Sequence, residues 1–214
     1  MIEVRHGRIT LALHELRAST NGGRPLLHLH GLGLRSPTEL PKDLAPWPGA
    51  VYALDFTGHG ASTVPRSGGY TAETLIGDVD AALEYLDTNV TLIGRGLGAY
   101  IALLTAGVRS DVVRGAILCD GPGMGGGGPV PGTPTVVRVD ANAPVPPDPF
   151  ALAELSRDVR PPDYAVDFTR FAHANARSPV AVVARARPEW LQAVADEVGA
   201  VPMTLADALR AFAR

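Results

Sequence analysis

Short runs rich in Val, Ile and Leu alternate with longer segments of helical periodicity along most of the chain, and this alternation restricts the fold more than any other feature. Strands that read as near-continuous apolar runs are buried on both faces, so they need helices above and below them. The pattern therefore predicts an α/β protein with a mainly parallel, twisted sheet covered by helices on both faces. Ile2 to Arg5 and Ile9 to Leu16 are close enough to form an antiparallel opening hairpin. Pro25 to Gly31, Ala50 to Gly58, Asn89 to Gly94 and Val113 to Gly121 read as strands that end in loops. Thr71 to Leu86 opens on a capping threonine and sets Leu75, Val79, Leu83 and Leu86 on one stripe, which makes it an amphipathic helix. Leu97 to Gly107 is the next helix. Thr133 to Ala141 and Ser178 to Ala186 read as the last two strands, with helical stretches at Ala151 to Arg157 and Ala165 to Ala176 between them and two helices after them.

Gly121 to Pro134 is the one low-complexity segment, too rich in Gly and Pro for regular structure, and it reads as a flexible crossing between elements. No internal repeat is visible. A chain of 214 residues is within reach of a single core, so one domain over residues 1–214 is expected. Hydrophobic residues at 46% and charged residues at 19% fit a globular interior, and a net charge of -3 with scattered basic residues offers no footprint for a nucleic-acid backbone. The first twenty residues break their apolar positions with charge, so no export signal is expected. No apolar run approaches the roughly 18 residues of a membrane span. Cys119 is the single cysteine and has no internal partner, and a cytoplasmic setting is the expectation.

Three stretches in order carry chemistry: "HGLG" (His30 to Gly33), "DFTGHGAS" (Asp55 to Ser62) and "GRGLG" (Gly94 to Gly98). Together they resemble the α/β-hydrolase family, clearly from about Ile9 to Asp120 and more loosely beyond. The resemblance implies that the first stretch shapes an oxyanion hole, the second organises a loop beside the site, and the third is the nucleophile elbow G-x-S-x-G. Aligned on that elbow, the serine position is Gly96. Flanking glycines suit the strained backbone and close helix-strand approach of such a corner, so the geometry survives without the nucleophilic oxygen. The family's acid, which follows the next-to-last strand, aligns with Ala143 in "DANAPVPP". Its base follows the last strand, yet no histidine occurs beyond His173, and Ala184 to Trp190 offers only Arg185, Arg187 and Glu189. Three altered positions read as natural loss of the triad. The family's helical lid is replaced by the Gly/Pro stretch, which predicts a shallow or loosely covered pocket.

The backbone N–H groups of Leu32 and Leu97 are expected to point into the former oxyanion hole beside Gly96, where an oxygen-bearing ligand would bind. Arg95 either strengthens that attraction or pairs with Asp120 at the next strand end, and the ion pair is the plainer expectation. His30 is a candidate general base or a structural residue, and Asp120 a candidate acid or a loop cap. Asp55, His59 and Ser62 are expected to fasten backbone groups. His28 and His30 alternate on one strand, but without a third ligand no metal is expected, and no cofactor. "GRGLGA" also fits G-x-G-x-x-[GA], a dinucleotide fingerprint. That fingerprint opens a domain at its first strand, however, whereas here several strands come first. Two readings follow. One is a non-hydrolytic pseudoenzyme that binds a small oxygen-bearing ligand or a protein partner. The other is a divergent hydrolase, lyase or isomerase/cyclase that uses His30, Arg95 or Asp120.

Overall fold

The structure, a computed structural model, describes residues 1–19, 22–66, 68–125, 146–158, 160–174 and 179–213. β1 (Ile2–His6) and β2 (Ile9–Arg17) form the expected antiparallel hairpin. The strands that follow are β3 (Leu26–Leu29), β4 (Val51–Asp55), β5 (Val90–Arg95), β6 (Val113–Cys119), β7 (Val180–Val182) and β8 (Ala200–Pro202). They form one sheet in the order β1-β2-β4-β3-β5-β6-β7-β8. β2 meets β4 antiparallel, and every later pairing is parallel. β3 lies at the centre with all four residues buried, as a strand covered on both faces must.

Six helices complete the described fold: α1 (Ala72–Leu86), α2 (Leu97–Val108), α3 (Pro149–Leu155), α4 (Pro162–Ala174), α5 (Glu189–Asp196) and α6 (Leu205–Phe212). Thr71 caps α1, its hydroxyl accepting from the Thr74 N–H at 3.3 Å, and Leu75, Val79 and Leu83 are buried along one stripe. α2 is buried at every residue from Leu97 to Gly107, which a helix apolar all round requires. Alternate strand residues feed two cores. Leu27, Leu29 and Leu92 pack toward α1, α2 and α5, whereas Leu26, Ile93 and Ile117 pack toward Trp47, Leu209 and Phe212.

The strand order corrects one expectation. Ser178 to Ala186 holds β7, which is next to last, and β8 follows it at the sheet edge. β8 carries no legible strand signal because it is three residues long, partly exposed and ends in Pro202, a residue suited to an edge. The other expected strand, residues 133–141, lies outside the described residues, as does the Gly/Pro stretch beyond residue 125. No described helix is long and apolar enough to cross a membrane.

Asp55, at the end of β4, ties the loops together. Its carboxylate accepts from the Ser36 N–H at 2.6 Å and the Ala61 N–H at 2.9 Å and meets His14 Nε2 at 3.0 Å. Ser62 Oγ donates to the Asp55 carbonyl at 2.6 Å and accepts from the Ala12 N–H at 2.9 Å. Burial pushes the Asp55 carboxyl upward, but the bonds from Ala61, Ser36 and His14 outweigh it and hold the group below its ordinary value. A depressed carboxylate adds stability above the unfolded-state pKa and loses it as pH falls through the folded one. Asp55→Ala, which orphans buried donors, is expected to lower unfolding stability by about 3 kcal/mol in urea titrations at pH 7. The variant should also lose part of the wild type's acid-side fall in stability below the ordinary carboxylate range.

Candidate functional site

The loops after β3, β5 and β6 meet at one end of the sheet. β5 turns into α2 through Gly96, which has φ +53° and ψ -114°. That left-handed backbone is the strained elbow expected from the sequence, and glycine adopts it without a Cβ penalty. The loop after β3 brings Leu32 beside the start of α2, and the loop after β6 runs through Gly121, Pro122, Gly123 and Met124.

The last of these loops closes the site. The Pro122 carbonyl accepts from the Leu32 N–H at 2.9 Å and from the Leu97 N–H at 3.0 Å. Both donors expected to face an oxyanion are therefore spent on the protein's own backbone, which corrects the expectation of an open hole. A Cβ at Gly31 would stand 2.6 Å from Pro122 Cδ, and one at Gly123 would stand 2.8 Å from Leu32 Cβ and 2.9 Å from Leu97 Cβ. A Cβ at Gly96 would overlap Pro122 O and the Gly121 carbonyl group. Met124 is buried, and its carbonyl accepts from Trp190 Nε1 at 3.1 Å, while the Trp190 ring packs edge-on against Tyr100 with centroids 4.9 Å apart. The space left between Gly96, Asp120, Gly121 and Trp190 is a cavity of about 10 Å³. That is room for at most one water and none for a substrate.

Asp120 and the histidines of the motifs are also engaged. Asp120 accepts from the Arg185 N–H at 2.9 Å and the Ala186 N–H at 2.8 Å, so it caps the loop after β7 and forms no ion pair with Arg95. His30 is buried, with Nδ1 at 2.8 Å from the Gly31 carbonyl and Nε2 accepting from the Phe56 N–H at 3.2 Å. Burial, reinforced by His59, depresses its pKa and keeps the ring neutral. His59 is fixed likewise, Nε2 accepting from the Gly33 N–H at 3.3 Å and Nδ1 bonding the Thr57 carbonyl at 3.1 Å. The Cys119 thiol is pushed up to about 12 by burial, which leaves it protonated and unreactive at neutral pH. Arg95 lies elsewhere, lining a separate cavity with His28, Asp43 and Cys119. Ala143 lies outside the described residues. The sequence reading missed Pro122, although a Gly-Pro-Gly directly after a strand end is a visible sign of a backbone pressed against its neighbours.

An antiparallel lead-in followed by a parallel sheet, with a left-handed glycine corner between β5 and a buried helix, defines an α/β-hydrolase fold. The model of the Alpha/beta hydrolase family matches residues 26–214, and the chain belongs to that family. Among solved structures it is similar to Est1E from Butyrivibrio proteoclasticus with ferulic acid bound, at 15% identity over 99% of this chain and 96% of that one, with a TM-score of 0.68. E-2-(acetamidomethylene)succinate hydrolase matches at 20% identity over 98% and 96%, with a TM-score of 0.65. The enol-lactonase from Burkholderia xenovorans LB400 matches at 19% identity over 95% and 92%, with a TM-score of 0.65. At these identities the likeness shows the fold alone. Comparison with curated proteins finds no match.

The geometry separates two costs of a side chain at the corner. Gly7 has φ +59° with nothing near its absent Cβ, whereas Gly96 has both a left-handed φ and occupied space. Gly7→Ala is expected to cost about 1 kcal/mol from backbone strain alone, and Gly96→Ala a further 1–3 kcal/mol or so from overlap with the Pro122 loop. Equilibrium denaturation of the two variants side by side checks the difference.

Proposed function

We propose that this chain is a non-hydrolytic α/β-hydrolase-fold protein, a single domain over residues 1–214 in which the catalytic pocket has become a structural joint. Binding of a small oxygen-bearing ligand or a protein partner is then its work. The observation that carries this reading is the Pro122 carbonyl, which takes both backbone donors that an acyl transition state would need. Its support extends to the triad positions. The elbow residue is Gly96. With β7 next to last and β8 last, the acid would follow β7 rather than align with Ala143, and Val183 to Pro188 there contain no carboxylate. The base would follow β8, where Met203 and Thr204 stand instead of a histidine. Among the described residues none of these three positions carries its triad side chain, Asp120 after β6 is taken up by backbone donors, and a Gly/Pro stretch stands where the family carries a lid.

The alternative enzyme reading relied on His30, Arg95 or Asp120, and it finds less support. His30 and Asp120 are committed to backbone partners, and Arg95 lines a different cavity.

A panel of short and medium acyl esters and thioesters tests the proposal. Wild type and Gly96→Ser are both expected to give no turnover above buffer, because the serine would lack a base, an acid and a vacant oxyanion hole. Turnover by wild type that disappears on substituting residues around Gly96 would overturn it.

A further inference from the structure

On the sheet face opposite α2, the ends of β3, β5 and β6 meet the start of α6 around a cavity of about 40 Å³. His28, Arg95, Cys119 and Asp43 line it together with apolar walls from Leu44, Ile93 and Leu205. His28 is only 8% exposed, and its buried Nδ1 has no hydrogen-bond partner among the described residues. Arg95 is half-buried beside it, and its side chain takes no hydrogen bond or ion pair among the described residues.

We propose that this cavity binds a small monocarboxylate, gripped between the Arg95 guanidinium and the His28 ring.

Size, charge and donor chemistry agree on that class. At roughly 10–15 Å³ of such volume per water-sized group, the cavity accommodates about three to four heavy atoms, the size of formate or acetate. A guanidinium offers a planar pair of donors matched to two carboxylate oxygens. His28 is held down to about 4, first by burial and then by the neighbouring Arg95 charge, so at neutral pH its ring supplies one donor without adding charge. The Cys119 thiol is protonated as well. Asp43 is exposed at the rim and adds a negative charge that opposes any anion, a dianion about twice as strongly, so a singly charged ligand fits better than a doubly charged one. A metal is a poorer occupant, because no three His, Cys, Asp or Glu side chains among the described residues form a group that could hold one.

The inference rests on the ligand-binding half of the proposed function and is independent of the closed centre at Gly96. Turnover of esters would overturn the non-hydrolytic reading and leave this site standing, whereas failure of acetate to bind would do the reverse. The test is an NMR titration of ¹⁵N-labelled protein with sodium acetate against sodium chloride at equal ionic strength. It reads the His28 ring nitrogens and the Cys119 amide. Saturable shifts with acetate, weaker ones with phosphate, and a loss of affinity of about tenfold or more in Arg95→Gln are expected. Arg35→Gln, at an exposed arginine beside a different cleft, should bind acetate as wild type does. Shifts that rise linearly, that chloride reproduces, or that persist at equal affinity in a folded Arg95→Gln protein would overturn the site. Should Arg95→Gln fail to fold, the wild-type saturation curve alone decides.

Discussion

The Pro122 carbonyl accepts one hydrogen bond from the loop after β3 and one from the first turn of α2, and three chain segments far apart in sequence meet at that oxygen. Without it the Leu32 and Leu97 N–H groups would be buried donors with no partner, at a cost on the order of 1–3 kcal/mol each. The neighbouring contacts are built to keep it there. Asp120 holds the loop after β7, the Met124 carbonyl takes the Trp190 indole, and Trp190 packs edge-on against Tyr100 of α2. A hydrolase reserves those two donors for charge that develops on a substrate. Here the same donors hold the fold together.

Gly96 and the Pro122 loop are two halves of one change. The corner keeps its left-handed backbone, so α2 still begins where an elbow helix would begin. The volume that a side chain at position 96 would fill is taken by the Gly121 carbonyl group and Pro122 O. Either the nucleophile or the loop can occupy that space, and the loop does. In the proposed function this exclusion is what separates the chain from catalytically active folds of the same shape, since fold alone carries no activity.

Much of the architecture is legible in the residues, because the signals are local. The apolar runs of β3 to β6, the Thr71 cap and the stripe of α1 read out directly, and so does the glycine corner. Asp55, His59 and Ser62 also behave as the motif implied, fastening backbone rather than facing a pocket. The misses share a non-local cause. β8 is three residues long and owes its place to pairing with β7, so no period-two run announces it. Arg95 was expected to meet Asp120, yet strand alternation turns it toward His28 and Asp43 on the other face while the Asp120 carboxylate turns to the loop after β7. The Gly-Pro-Gly loop reads as flexible from composition alone. Its fixed position comes from donors contributed by residues 32 and 97, which no window of sequence around Pro122 contains.

One shared acceptor closes the site, and NMR scalar couplings across hydrogen bonds measure it directly. With ¹⁵N,¹³C-labelled protein, the Leu32 and Leu97 amide nitrogens are both expected to couple to the Pro122 carbonyl carbon, and both amides should be strongly protected from hydrogen exchange. Two amides that exchange freely and show no coupling to Pro122 would mean an open oxyanion hole, and would contradict the claim that the protein's own backbone has taken the catalytic donors.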